Sequence, residues 1–317
     1  MVKLFTGNRA GVLLLLPIFV IGYLYFHVLS GNLQDLEAVN LGFWGASVPL
    51  HSQTAMVWSG IVVLINAISI NLIYNTNEFY ERNSYISSLL YIVCMSFYHS
   101  FFSLDGLLLA HTALILMLHQ FFQLRQNEDG RAIVFNGSFF AGIAATFHPP
   151  MVGMLPIMLI MIWIIRPFLV REFLLALSGF AVPLVYANTY FWYTGQDLEL
   201  NILERVSDYY KEQIDFFVTS GLFVSLLVLS VVSIRNRMQK SSIRLKKLVN
   251  MLWLLMIVGF IYGMIDFIFF DQIERFSFLM VPLAFFLPFS FMHKKLMGAA
   301  SVLFYLTFFY SLINFFF

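Results

Sequence analysis

Several acids, histidines and one arginine in this sequence have the types and positions to do chemistry. Asp35 and Glu37 stand in Gly31-Asn-Leu-Gln-Asp-Leu-Glu, just past the first long apolar run. A carboxylate there can deprotonate a hydroxyl, or hold a divalent ion facing a phosphate. Asp105 is a third acid, in a short break between two apolar runs. His99, His111 and His148, with His27 and His51, fall toward the same side of the chain's layout as Asp105 and Asp266. Imidazoles and carboxylates at one level suit a metal or proton-handling site. No HxxxH or HxH spacing is present, so the sequence names no metal and leaves the cofactor open, a divalent ion included. His111 lies about a turn and a half inside its run, where a polar group must find a partner. His148 precedes Pro149-Pro150, a dipeptide that breaks the helix. Asp266, in Gly263-Met-Ile-Asp, is an acid within an apolar run, with snorkelling to the membrane surface as the plainer reading. Arg275 has the charge to clamp an anionic lipid phosphate, with an exposed ion pair to Asp271 or Glu274 as its alternative.

The elements that must position these residues are membrane helices. The chain has 317 residues, 60% hydrophobic and 11% charged, where an ordinary soluble domain is about 25% charged. Mean hydropathy is +0.83. That composition excludes a water-facing globule and a disordered chain alike. A net charge of +1 gives no dominant basic patch, so a nucleic-acid partner is not expected. Cys94 is the single cysteine, which excludes an internal disulfide and a multi-cysteine metal site. A spanning helix needs about 20 mostly apolar residues. Eleven candidate runs are present: 10–30, 54–75, 84–102, 106–124, 132–148, 150–168, 172–193, 215–234, 248–269, 276–292 and 297–316. They are unbroken where a β-barrel would alternate. The expectation is an all-α polytopic bundle of about 11 spans, forming one integral membrane domain over 1–317.

Fifteen of the eighteen lysines and arginines collect on one side when the N-terminus is placed inside. Only Arg205, Lys211 and Arg275 stay outside. The positive-inside rule then predicts an N-in, C-out arrangement. Most acids take the opposite side. The longer outer loops are 31–53 and 194–214, and Leu198 to Phe217 has the spacing of a short amphipathic helix. The loop 235–247 carries six positive charges and no acid, which reads as charge set against lipid headgroups.

Two stretches carry a resemblance: Ser103-Leu-Asp-Gly-Leu-Leu-Leu-Ala-His-Thr through Leu124-Arg-Gln, and Val134-Phe-Asn-Gly-Ser-Phe-Phe-Ala-Gly-Ile-Ala-Ala-Thr-Phe. They resemble an uncharacterised family of polytopic inner-membrane proteins from Bacteroidota, some of them labelled carotene monooxygenases. Nothing here supports that label, since no propeller pattern is present. The resemblance implies an inner (cytoplasmic) membrane location and assigns no residue a role. In plan the chain is also similar to membrane glycosyltransferases of the C-type fold, which use lipid-phosphate sugar donors. That similarity implies Asp35, Glu37 and Asp105 as catalytic acids, and polyprenyl-phosphate among the membrane lipids as partner. Arg275, His99, His111, His148 and Asp266 would then bind substrate. Two other readings stand beside it. One is a transporter or lipid flippase with Asp266 and His111 in its polar pathway. The other is a non-catalytic subunit of an envelope assembly.

Overall fold

The computed structural model describes residues 1–30, 41–44, 52–124, 129–195, 213–270, 272–293 and 295–314. Among them every regular element is helical, and each of the eleven apolar runs contains helix. The α-helices are α1 (Val2–Phe5), α2 (Leu16–Leu29), α3 (Ser52–Thr76), α4 (Ile86–Met95), α5 (Gly106–Gln123), α6 (Arg131–Phe147) and α7 (Met154–Ile165). They continue as α8 (Val170–Thr194), α9 (Gln213–Lys240), α10 (Ile243–Phe270), α11 (Met280–Phe286), α12 (Pro288–Met292) and α13 (Met297–Ile313). Short 3-10 turns at His99–Phe101, Pro149–Gly153 and Glu274–Leu279 interrupt the pattern. The fold is an all-α helical bundle.

Seven helical stretches among the described residues are long and apolar enough to cross a membrane. They are Ala10–Leu29, Gln53–Thr76, Gly106–Gln123, Val170–Thr194, Asp215–Lys240, Ile243–Phe270 and Glu274–Met292. Ile86–Met95, Arg131–Phe147, Pro149–Ile165 and Met297–Ile313 are apolar but shorter. At 1.5 Å per residue, α4 is about 15 Å long, half the thickness of a hydrocarbon core.

Burial sorts these elements into a centre and a rim. All ten residues of α4 are buried, as is 89% of the apolar window of Glu274–Met292. Only 22% of the Ala10–Leu29 window is buried, and this stretch shows Leu14, Ile18, Ile21 and Tyr25 outward. Apolar side chains facing outward are what a lipid-facing rim requires. The interrupted stretches therefore sit where protein, not lipid, surrounds their irregular backbone. That is the condition for non-helical chain within a membrane.

A polar seam joins α3 to α4. Asn75 and Ser84 exchange hydrogen bonds of 3.1 Å. The Ser87 hydroxyl donates to Asn71 Oδ1 at 2.7 Å, and Ser59 donates to the Phe101 carbonyl at 2.8 Å. As one partner climbs the sequence the other descends, the mark of antiparallel neighbours joined by a short turn. Such bonds hold membrane helices that share no hydrophobic driving force.

Parallel packing of α6 and α8 relies on small residues. A side chain at Gly142 would overlap the Phe180 carbonyl, and one at Gly179 would sit 2.6 Å from the Phe135 carbonyl oxygen. The basic stretch 235–247 is largely helix, with a turn at Ser241–Ser242. Half of its charges hold the bundle together. Arg237 pairs with Glu81 at 2.5 Å, Arg244 donates to Asn77 at 2.8 Å, and Lys247 donates to the Ile165 carbonyl at 2.7 Å. The last contact places a cation on the carbonyl end of α7, where the helix dipole favours it.

Candidate functional site

Arg275 is the centre of the polar core. It lies at the start of the Glu274–Leu279 turn and is 1% exposed, although arginine is almost never buried without partners. Its Nη1 donates to Asp266 Oδ1 at 2.7 Å, and its backbone N–H donates to Asp266 Oδ2 at 3.3 Å. The Nε–H donates to His148 Nε2 at 3.3 Å. His148 Nε2 is thereby an acceptor, so its proton belongs on Nδ1. Asp266 is fully buried and does not snorkel. Nor is the ion pair of Arg275 an exposed one with its neighbour in sequence. The chain leaves α10 after Phe270 and folds back within four residues, which returns Arg275 to the acid nine positions earlier.

His111 extends the core toward α4. Its ring stands between Tyr91, with Oη 3.4 Å from Nδ1, and Ser277, with Oγ 3.2 Å from Nε2. Phe278 packs against both His111 and His148, with ring centroids 4.7 and 5.7 Å away. The partner that an intramembrane histidine requires is thus found on two other elements. The Glu274–Leu279 turn carries Arg275, Ser277 and Phe278, and so ties both histidines and Asp266 into one cluster.

A second cluster abuts the first. The His99 N–H donates to both Glu274 oxygens, at 3.2 and 3.0 Å. Asp105 accepts from the Leu108 N–H and the Ser100 hydroxyl, each at 2.7 Å. It is the N-cap of α5. Burial pushes its carboxyl above the usual carboxylate range, against the two hydrogen bonds and His99, which hold it down. Both oxygens are engaged, one in capping α5 and the other by the Ser100 hydroxyl. Asp105→Ala should lower stability by about 1 kcal/mol, the usual worth of such a cap. Asp105→Asn keeps one acceptor and should recover most of that in a thermal melt in detergent.

His99, His111, His148, Asp266 and Arg275 thus lie close together, linked through Glu274, Ser277 and Phe278, with Asp105 adjoining through Ser100. Asp35 and Glu37 lie outside the described residues, as does most of the amphipathic stretch Leu198 to Phe217. No group of three metal-ligating side chains occurs among the described residues. Tyr91 and Ser277 escape sequence reasoning, because their significance is in tertiary contact alone. For Glu274 a signal existed, an acid beside the one arginine of that turn.

Beside the polar core runs an apolar groove. A cavity of about 610 Å³ lies between α9, α10 and the Glu274–Leu279 turn. Phe216, Phe223, Trp253, Phe260, Met264 and Phe267 line it, with Ser220 its one aliphatic hydroxyl. Phe217, Val224, Ile257 and Phe260 are more than half exposed there, so the groove opens sideways from the bundle. Tyr98 and Phe276 also line it, and they are the sequence neighbours of His99 and Arg275. No known protein family, curated protein or solved structure matches the chain.

Proposed function

We propose that this chain, whose apolar helices fit an integral membrane protein, acts on a lipid-linked substrate, with the isoprenoid chain in the groove between α9 and α10 and the phosphate end toward the Arg275 cluster. The observation that carries this reading is the groove itself: lined almost entirely by apolar side chains, partly exposed at the side of the bundle, and walled in part by the sequence neighbours of His99 and Arg275. An amphipathic ligand needs that juxtaposition of an apolar trough and a few convergent polar groups. The chemistry proposed is transfer of a sugar from a polyprenyl-phosphate donor at the outer face of a bacterial inner membrane. Asp35 or Glu37 takes the acceptor hydroxyl's proton, because Asp105 is already spent on its helix. Anionic phosphate beside two carboxylates requires compensation by a divalent ion or by Arg275.

A flippase reading has one observation in its favour. Two buried interrupted segments, α4 with its 3-10 turn and Glu274–Met292, meet at the polar core, and transporters place their sites at broken helices.

The test uses purified protein in nanodiscs with a photoreactive polyprenyl-phosphate sugar. Cross-linking is expected on the α9–α10 walls. Ser220→Trp together with Val224→Trp should fill the groove and reduce labelling at least tenfold. Asp35→Asn with Glu37→Gln should abolish sugar release to an added acceptor while leaving labelling intact. Labelling elsewhere on the protein, insensitive to the groove variant, overturns the reading. Translocation of the lipid without sugar release selects the flippase.

A further inference from the structure

The end of the bundle that gathers the basic residues holds a second site, remote in sequence from the lipid groove. Two helix N-termini lie side by side there. α6 and α8 run parallel and nearly backbone to backbone, held by Gly142 and Gly179. Their amino ends, at Arg131 and Val170, therefore point the same way. Neither N-cap residue, Gly130 or Leu169, supplies a side-chain cap. Seventeen and twenty-five residues long, the helices bring two positive dipole ends together, which favours negative charge there. Asp129, accepting from the Arg131 backbone N–H at 3.2 Å, and Glu172 in the first turn of α8 supply part of it.

Between these ends is a cavity of about 490 Å³ lined by Asp129, Arg131, Arg166, Leu169, Val170, Arg171 and Glu172. Three arginines and two carboxylates face one space. Arg131 is held only loosely, its Nε 3.5 Å from Asp129 in an exposed pair. Arg166 donates to Glu172 Oε1 at 3.1 Å. The other oxygen of Glu172, Oε2, is buried with no hydrogen-bond partner, in a residue 4% exposed. A buried carboxylate oxygen without a donor is costly, so its position beside the cavity asks for a donor from outside the chain. The backbone adds to the demand, since Gly130 leaves no room for a side chain against Arg166 and Glu172. Leu169 and Val170, which line the cavity, are half exposed or more, as residues facing acyl chains would be.

We propose that this cavity binds the headgroup of an aminophospholipid. Phosphate sits on Arg171, Arg131 and the amino end of α8, and the primary ammonium donates to Glu172. The mixed charge is what selects this ligand. A purely anionic headgroup would leave the Glu172 oxygen unanswered and bring a phosphate toward it. A quaternary headgroup has no N–H to give. Basic pockets between helices are known places for lipid phosphates, and the two carboxylates here add the preference for an amine.

The experiment is native mass spectrometry of the purified full chain with phosphatidylethanolamine, phosphatidylcholine, phosphatidylglycerol and water-soluble phosphoethanolamine. Phosphatidylethanolamine should be retained at least tenfold better than phosphatidylcholine, and better than phosphatidylglycerol. Glu172→Gln should bring the first two level. Because Glu172 holds Arg166, that variant can fail to fold, so Arg171→Gln is run in parallel. It leaves the Arg166–Glu172 pair intact and should weaken retention of all three phospholipids several-fold. Equal retention of ethanolamine and choline lipids by the unaltered protein overturns the proposal, as does a preference for phosphatidylglycerol. Binding of soluble phosphoethanolamine as tight as that of the diacyl lipid overturns the membrane source of the ligand.

Discussion

Methionine in place of Arg275 is expected to cost the protein about 3–5 kcal/mol, the loss usual when one member of a buried ion pair is removed. Asp266 would keep a fully buried carboxylate with the backbone N–H bond but without the charged one from the arginine side chain, and His148 Nε2 would lose its donor. Folded proteins hold only about 5–15 kcal/mol in total, so Arg275→Met should accumulate poorly and melt far below the parent. The informative partner is the double variant Arg275→Met with Asp266→Leu. Replacing both charges by apolar groups of similar volume is often neutral or stabilising, so the double variant should regain most of the lost stability in a detergent melt. A double variant as unstable as Arg275→Met would show that the ion pair is not what Arg275 contributes.

The second large effect is expected from a single methyl group. Gly142→Ala drives a Cβ into the Phe180 carbonyl, and Gly179→Ala does the same against Phe135. Backbone cannot rotate aside as a side chain does, so the two helices must part. Overpacking of this kind costs about 1–3 kcal/mol, and both variants should melt lower than the parent. The comparison is internal. Gly22, Gly221 and Gly298 lie in helices with nothing within 4 Å of where a Cβ would stand. Alanine there should be neutral or stabilising by roughly 0.5–1 kcal/mol, since it restricts the unfolded chain at no steric cost. If Gly142→Ala and Gly221→Ala behave alike, the close approach of α6 and α8 is not a source of stability.

The difference between what the sequence disclosed and what it hid has a physical basis. A membrane helix announces itself locally, because twenty apolar residues in a row have few other uses. All eleven runs contain helix for that reason, down to α4, where the run 84–102 holds only ten residues of α-helix. The bundle was therefore legible. Membership of the polar core was half legible. His111, Asp266 and Arg275 stand out because ionisable groups amid apolar sequence demand partners, but the partners are not local. Arg275 finds Asp266 only because the chain reverses after Phe270, and His111 meets Ser277 from 166 positions away. Asp105 is ambiguous for the opposite reason: its environment is local, and an acid ahead of a helix caps it as readily as it catalyses. The α3–α4 seam was readable in principle. A short turn after Thr76 forces antiparallel neighbours, and Asn75 with Ser84, then Asn71 with Ser87, are the polar residues that such a hairpin brings level.

The buried helix Ile86–Met95 sets the order in which the molecule can be made. A segment of ten residues with no outward face has nothing to offer the bilayer and is too short to remain there alone. Its company includes α11, which is synthesised nearly two hundred residues later. Until that segment leaves the ribosome, α4 must wait against α3, held by the Asn71–Ser87 and Asn75–Ser84 bonds rather than by burial. A chain halted before Met280 therefore lacks one of the walls around α4 and carries an unfinished centre that the membrane cannot fill.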